Sequence, residues 1–188
     1  AVAIFLMAMA GIRDAWVIQQ GTAFIARSLT IDDTYYYLLT AWNHHTFGFP
    51  TFDGVNHTNG VQFLWYWILY LYKYLFATRE TFLHGTIVLC AILGVASIIP
   101  AVRMGRAVER RYGGTLAGLA VFHLVTYRRF SLVGLENAIH LFIILLLYAQ
   151  FFRFLRLLAK EKTNPRSLSR RYMVIMALLA LNVWCRLD

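Results

Sequence analysis

Long apolar runs constrain this chain more than any other feature of its sequence. Residues 82–102 carry no charged side chain apart from His84, and residues 138–158 carry two arginines. Each run approaches the roughly 20 residues that an α-helix needs to cross a bilayer. Only 14% of all residues are charged, against about 25% in soluble domains. The sequence therefore predicts an all-α integral membrane protein.

We expect about five transmembrane helices in a single membrane domain covering residues 1–188. The first run, residues 1–12, is too short for a full span, so either its missing part lies upstream or it continues past Arg13 and Asp14. The further predicted spans are residues 82–102, 115–127, 138–158 and 172–185. Between the first two spans, residues 13–80 are predicted to form a large outer loop with interfacial helices.

The stretch from Thr30 to Trp65 holds much of the polar chemistry of this oily chain. It contains three of the nine acidic residues and three of the six histidines. Thr30 is a candidate N-cap, and Asp32 and Asp33 would then lie in the first turn of a helix, where carboxylates suit the dipole. Paired carboxylates and histidines in one loop also indicate catalysis or ligand binding. Both interpretations stay open from the pattern alone.

The aromatic segment 61–76 determines the predicted orientation. Eight of its sixteen residues are Phe, Trp or Tyr, which favours a helix lying along the membrane surface over a crossing. The two basic segments, 103–111 and 153–171, then lie on the same side and hold 11 of the 18 Lys and Arg residues. The positive-inside rule makes that side cytoplasmic. Membrane orientation therefore explains the net charge of +9 better than binding to nucleic acid does.

Several motifs together resemble a known family. Asp32-Asp33 followed by Tyr35-Tyr36-Tyr37, then Thr51-Phe52-Asp53-Gly54 and Thr58-Asn59-Gly60 ahead of Trp65, resemble the first outer loop of the GT-C membrane glycosyltransferases. Gly134-Leu135-Glu136-Asn137 before one span and Arg186-Leu187-Asp188 after another resemble further motifs of the bacterial branch. The resemblance covers nearly all of this chain and corresponds to the N-terminal half of such an enzyme. Val61-Gln62 stands where the family usually has His-Pro.

The resemblance implies a glycosyltransferase that takes a sugar from a polyprenyl-phosphate carrier at the non-cytoplasmic face of a bacterial inner membrane. It implies a catalytic carboxylate, acting as a base or through a metal, at Asp32 or Asp33, with Asp33 as the candidate ligand of Mg²⁺ or Mn²⁺. The leaving phosphate requires positive charge or donors. The candidate substrate-binding residues are Tyr36, Asp53, His57, Asn59, Arg128, Arg129, Glu136, Arg186 and Asp188.

Other interpretations remain open at this stage. The chain could be a non-catalytic subunit with the same fold, packed in a larger membrane complex and contacting pigments or lipids. His44, His45, His57 and Asp53 could bind a metal, although their spacing matches no standard site. Glu136 could pair with Arg128 or Arg129 as a purely structural contact, because an acid beside a span is costly unless it is paired or hydrated.

Overall fold

The computed structural model describes residues 2–126, 131–159 and 165–185. These residues form nine α-helices joined by turns and contain no strand. In chain order the helices are α1 (Val2–Ile18), α2 (Thr22–Ser28), α3 (Asp32–Phe47), α4 (Phe63–Tyr72), α5 (Arg79–Ala96), α6 (Ile98–Val108), α7 (Gly113–Thr126), α8 (Asn137–Leu158) and α9 (Pro165–Cys185). The predicted all-α architecture is confirmed for this part of the chain.

Three helical segments of the described chain are long and apolar enough to cross a membrane. They are Arg79–Val108, which joins α5 and α6, and the helices α8 and α9. A fourth span results only if α1 and α2, which meet at an angle of 105°, form one broken span. Helix α7 is apolar but has 14 residues, a length of about 21 Å at 1.5 Å per residue. The membrane class is supported, whereas the count of five spans stays a prediction.

The described parts of the two basic segments, 103–111 and 153–171, are largely helical in the structure. The second predicted span continues through α6 to Val108, with an interruption only at Ser97. Pro100 does not end the helix, because it removes a single backbone donor. Helix α9 begins at Pro165 and includes the arginines that were predicted to precede it. Proline fits the first turn of a helix, and arginine side chains can extend their charged ends toward water from a membrane helix.

The helices α6 and α7 approach each other through glycine. A Cβ added to Gly105 would lie 2.1 Å from the carbonyl oxygen of Gly113, and one added to Gly113 would lie 2.3 Å from that of Gly105. Such contacts let membrane helices pack closely. At the same end, Arg156 of α8 donates a hydrogen bond of 3.1 Å to the carbonyl of Arg106. The C-terminal ends of α6 and α8 therefore lie side by side.

The described chain has two hydrophobic cores. One lies among α1, α6, α7 and α8 and contains Leu6, Ile98 and Val121. The other lies among α2, α3, α4 and α5, and its fully buried members include Trp65 and Phe82. The second core also takes in Leu132, so the described part of the connection between α7 and α8, residues 131–136, packs beneath α3 and α4.

Candidate functional site

Helix α3 places the acidic pair at its first turn. The helix begins at Asp32, and Asp32 and Asp33 are both exposed. The N-cap prediction for Thr30 is wrong: Ile31 occupies that position, and the Thr30 hydroxyl instead donates to the carbonyl of Ala26 at 3.0 Å. Carboxylates remain favourable at this end of the helix because they face its positive dipole end.

A buried threonine ties the start of α3 to a distant part of the chain. Thr34 is fully buried, and its hydroxyl donates to the carbonyl of Val133 at 2.5 Å, across 99 positions of sequence. Trp65 of α4 adds a second connection, since its indole Nε1 donates to the carbonyl of Gly134 at 3.3 Å. The segment before α8 is thereby clamped between α3 and α4.

Gly134 allows this close packing. Its φ is +82°, and an added Cβ would lie 2.5 Å from Cγ2 of Thr34 and 3.3 Å from Cδ1 of Ile87. Only glycine adopts such a φ freely, and no side chain fits in the remaining space. The predicted Gly-Leu-Glu motif is therefore a backbone crossing under α3, which brings Glu136 to the start of that helix.

The two predicted acidic positions meet at one cavity. The cavity has a volume of about 340 Å³. It is lined by Asp33, Tyr36 and Tyr37 of α3, by Gly60 near the end of the loop between α3 and α4, and by Leu135 and Glu136. The structure thus brings together three predicted site residues, Asp33, Tyr36 and Glu136. Asp32 does not line this cavity, so the structure distinguishes the two adjacent carboxylates.

Glu136 is the most unusual group in the cavity. Its side chain is 7% exposed, and its Oε2 has no hydrogen-bond partner among the described residues. Its backbone carbonyl accepts the amide of His140 at 2.8 Å, which places Glu136 at the first turn of α8. A buried carboxylate oxygen without a donor costs free energy, so this group is suited to receive a ligand.

Tyr36 and Tyr37 connect α3 with the loop that follows it. The Tyr36 ring stacks on Phe52 with 5.4 Å between centroids. The Tyr37 hydroxyl accepts the backbone amide of Gln62 at 3.4 Å. Sequence reasoning missed Tyr37, Gly60 and Leu135 as lining residues. The signal for Tyr37 was available, because side chains at i, i+3 and i+4 from Asp33 share one face of a helix.

Asp53 organises its own loop. Its Oδ1 accepts the amides of Val55 and Asn56 at 2.9 and 2.8 Å and the hydroxyl of Thr51 at 3.1 Å. Its Oδ2 accepts the side-chain amide of Asn56 at 2.8 Å. These donors, the Asn56 amide foremost, hold the pKa of the Asp53 carboxyl well below its usual range. The substrate-binding role stays a prediction, whereas the structural role is visible.

The remaining predicted loop residues are exposed. His57 packs against Phe49 at 4.5 Å between ring centroids, and Asn59 directly precedes the cavity residue Gly60. Arg128, Arg129, Arg186 and Asp188 lie outside the described residues. Trp184 of α9 contacts Phe63 of α4, with 5.6 Å between the ring centroids. The C-terminal end of α9 therefore lies beside the start of α4.

The histidines of α3 form an aromatic cluster with α4. Nδ1 of His44 is hydrogen-bonded to the Tyr66 hydroxyl, and Nε2 of His45 to the carbonyl of Tyr70 at 2.7 Å. Burial, and secondarily the charge of His45, lower the pKa of His44. Burial raises the pKa of Tyr66 to about 12. The described residues contain no group of three or more His, Cys, Asp or Glu side chains that could share a metal ion.

We compared the chain with protein-family models, with curated proteins and with solved structures, and none of these comparisons gives a match. Function is therefore inferred from the cavity at the start of α3 and from the motifs that surround it.

Proposed function

We propose that this chain is the N-terminal part of a GT-C-type glycosyltransferase that moves a sugar from a polyprenyl-phosphate carrier to an acceptor at the outer membrane face. The main support is the shared cavity of Asp33 and Glu136. Two motifs that are far apart in sequence, and that both resemble the same family, meet there through the contacts of Thr34 and Trp65.

In the proposed reaction, Asp33 is the general base. Its carboxylate accepts the proton of an acceptor hydroxyl, whose oxygen attacks the anomeric carbon of the sugar. The bond between that carbon and the carrier phosphate breaks, and the phosphate leaves with the electron pair. Tyr36 and Glu136 line the same space and would position the acceptor hydroxyl through hydrogen bonds.

A divalent ion is compatible with this cavity. Mg²⁺ is commonly held by one or two carboxylates together with water and substrate phosphate, and the unpartnered Oε2 of Glu136 is a free oxygen ligand beside Asp33. As the alternative to a general base, Asp33 would hold Mg²⁺ or Mn²⁺ together with Glu136, and the ion would supply positive charge to the carrier phosphate. Arg128, Arg129 and Arg186 are the proposed side-chain contacts of that phosphate.

We further propose five membrane crossings, formed by α1, the α5–α6 segment, α7, α8 and α9, in a bacterial inner membrane. Helix α4 has ten residues, about 15 Å at 1.5 Å per residue, which supports a position along the surface. The hydrogen bond from Arg156 to Arg106 supports a single basic end. The positive-inside rule then puts this end in the cytoplasm and the cavity on the opposite side.

The test compares two adjacent carboxylates in the full-length protein. We expect Asp33→Asn to lower sugar transfer from the lipid carrier by a factor of about 10² to 10⁴, the usual contribution of general base catalysis. Asp32→Asn is the matched control and should retain most activity, because Asp32 does not line the cavity. Normal transfer by a folded Asp33→Asn variant would remove the proposed mechanism.

A non-catalytic subunit in a larger membrane complex is the second candidate, and α9 is the observation in its favour. Only Ile175 and Cys185 of this helix are buried, whereas Met173, Leu179 and Trp184 are among its exposed apolar side chains. Such a face fits lipid or another helical subunit. Two results together would favour this candidate. The protein would co-purify with the same partner protein in every preparation, and neither the wild-type protein alone nor the complex would transfer sugar.

A further inference from the structure

A cleft rich in arginine lies at the end of α8 and α9 that is far from the Asp33 cavity. Its volume is about 500 Å³. It is lined by Gln150 and Arg153 of α8 and by Arg166, Ser167, Arg170, Arg171 and Val174 of α9. Arg153 lies about 24 Å along α8 from the helix start at Asn137, at 1.5 Å per residue. The cleft is thus separate from the proposed catalytic site.

The spacing within α9 concentrates positive charge on one face. Arg166, Arg170 and Val174 follow each other at intervals of four, as do Ser167 and Arg171, so these side chains are neighbours on the helix surface. Like charges at this spacing repel each other. No carboxylate is among the described residues that line the cleft.

Arg171 is held in a defined orientation. Its Nη1 donates to Oε1 of Gln150 at 3.2 Å, across the two helices. Its Nε is buried and has no hydrogen-bond partner among the described residues. A buried guanidinium donor without an acceptor is costly, and phosphate oxygens match the geometry of such donors. The cleft therefore has the charge, donors and volume for an anion.

We propose that this cleft binds the phosphate of an anionic phospholipid headgroup. A lipid is favoured over a soluble anion because α8 and α9 are both long and apolar enough to cross a membrane. Val174, which lines the cleft and is 39% exposed, lies one turn further along α9 and offers an apolar surface to the start of an acyl chain. Basic pockets between membrane helices are known to hold such headgroups.

The experiment measures lipid retention by the full chain with native mass spectrometry, after addition of phosphatidylglycerol or of zwitterionic phosphatidylcholine. One basic residue near a membrane surface contributes a factor of about five in affinity for anionic lipid, so Arg153→Gln with Arg170→Gln should weaken phosphatidylglycerol binding about 30-fold. Arg103→Gln with Arg110→Gln is the matched control. It removes the same charge from exposed positions near the same end but outside the cleft.

The proposal is supported if the cleft variant loses phosphatidylglycerol binding while the control variant binds this lipid about as well as the wild type. The helical content of both variants should stay close to that of the wild type. Equal weakening in the two variants would show general surface attraction and overturn the proposal, as would unchanged binding in both. Inorganic phosphate is a further arm. If millimolar inorganic phosphate binds and displaces the lipid completely, the cleft is a site for a soluble anion and the assignment to a lipid is wrong.

Discussion

The crossing of Gly134 under α3 leads to a sharp prediction about stability. In Gly134→Ala the new Cβ would meet Cγ2 of Thr34 at 2.5 Å, and the backbone would keep a φ of +82°. The positive φ costs a residue with a side chain about 1–2 kcal/mol. Overpacking a buried site costs about 1–3 kcal/mol more. We expect a total loss of about 2–5 kcal/mol.

Gly48 provides the matched control because it separates the two contributions. Its φ is also +82°, but an added Cβ would meet no atom within 4 Å. Gly48→Ala should therefore lose only the backbone contribution of about 1–2 kcal/mol. Gly11, inside α1, also has open space and no positive φ. Gly11→Ala should be neutral or stabilising by up to about 1 kcal/mol, because alanine is the better helix former.

Thermal unfolding of the three variants in one detergent provides the measurement. A loss of 1 kcal/mol shifts the midpoint by about 2–4 °C in a chain of this size, so Gly134→Ala should unfold about 4–20 °C below wild type. The order of the midpoints is the decisive result. If Gly134→Ala is no less stable than Gly48→Ala, the contact with Thr34 is not a close one, and the proposed geometry of the Asp33 cavity loses its main support.

Three further predictions concern the contacts around α3. Trp65→Phe removes the donor to the carbonyl of Gly134 and should cost about 0.5–1.5 kcal/mol, read from the same unfolding midpoint. The Asp53 carboxylate stabilises its loop above pH about 4, its ordinary pKa, and loses this effect as the pH falls toward its lowered pKa in the folded chain. Limited proteolysis of the loop should therefore increase in acid, and Asp53→Ala should be cleaved readily at every pH. His44 has a lowered pKa, so protonation favours the unfolded chain once the pH falls below about 6.5. Unfolding midpoints should drop between pH 7 and pH 5, and His44→Phe should reduce that drop.

The sequence predicted the helices best where hydrophobicity and length agree. The span 138–158 differs from α8 by one residue at its start, because a long apolar run leaves little choice of structure. The start of α9 could not be placed in the same way. Its first turns contain Arg166, Arg170 and Arg171, which look like a loop by composition, and their place in a helix depends on how the side chains reach water.

The cavity was predictable only in part. The acidic pair and Glu136 were identified by their chemistry and by their resemblance to a family, but their meeting depends on packing. Nothing in the local pattern around Thr34 indicates that its hydroxyl bonds to Val133, since a threonine inside a helix usually bonds within its own turn. The sequence likewise could not tell that Asp33 and not Asp32 lines the cavity. That depends on which face of α3 packs against the segment before α8.

The charge balance of the cavity indicates that a phosphate-bearing sugar donor would need additional positive charge to bind there. The N-termini of α3 and α8 both lie at this site, since Asp33 is in the first turn of one helix and Glu136 directly precedes the other. Each helix contributes about half a positive charge there, so the two dipoles offset about one of the two carboxylates. A carrier phosphate would therefore enter a site that is still negative, and a cation has to supply the difference. The two proposed sources are a divalent ion that Asp33 and Glu136 would hold, or the side chains of Arg128, Arg129 and Arg186. Binding of a donor analogue measured with and without a metal chelator distinguishes them, because only the first source is lost to the chelator.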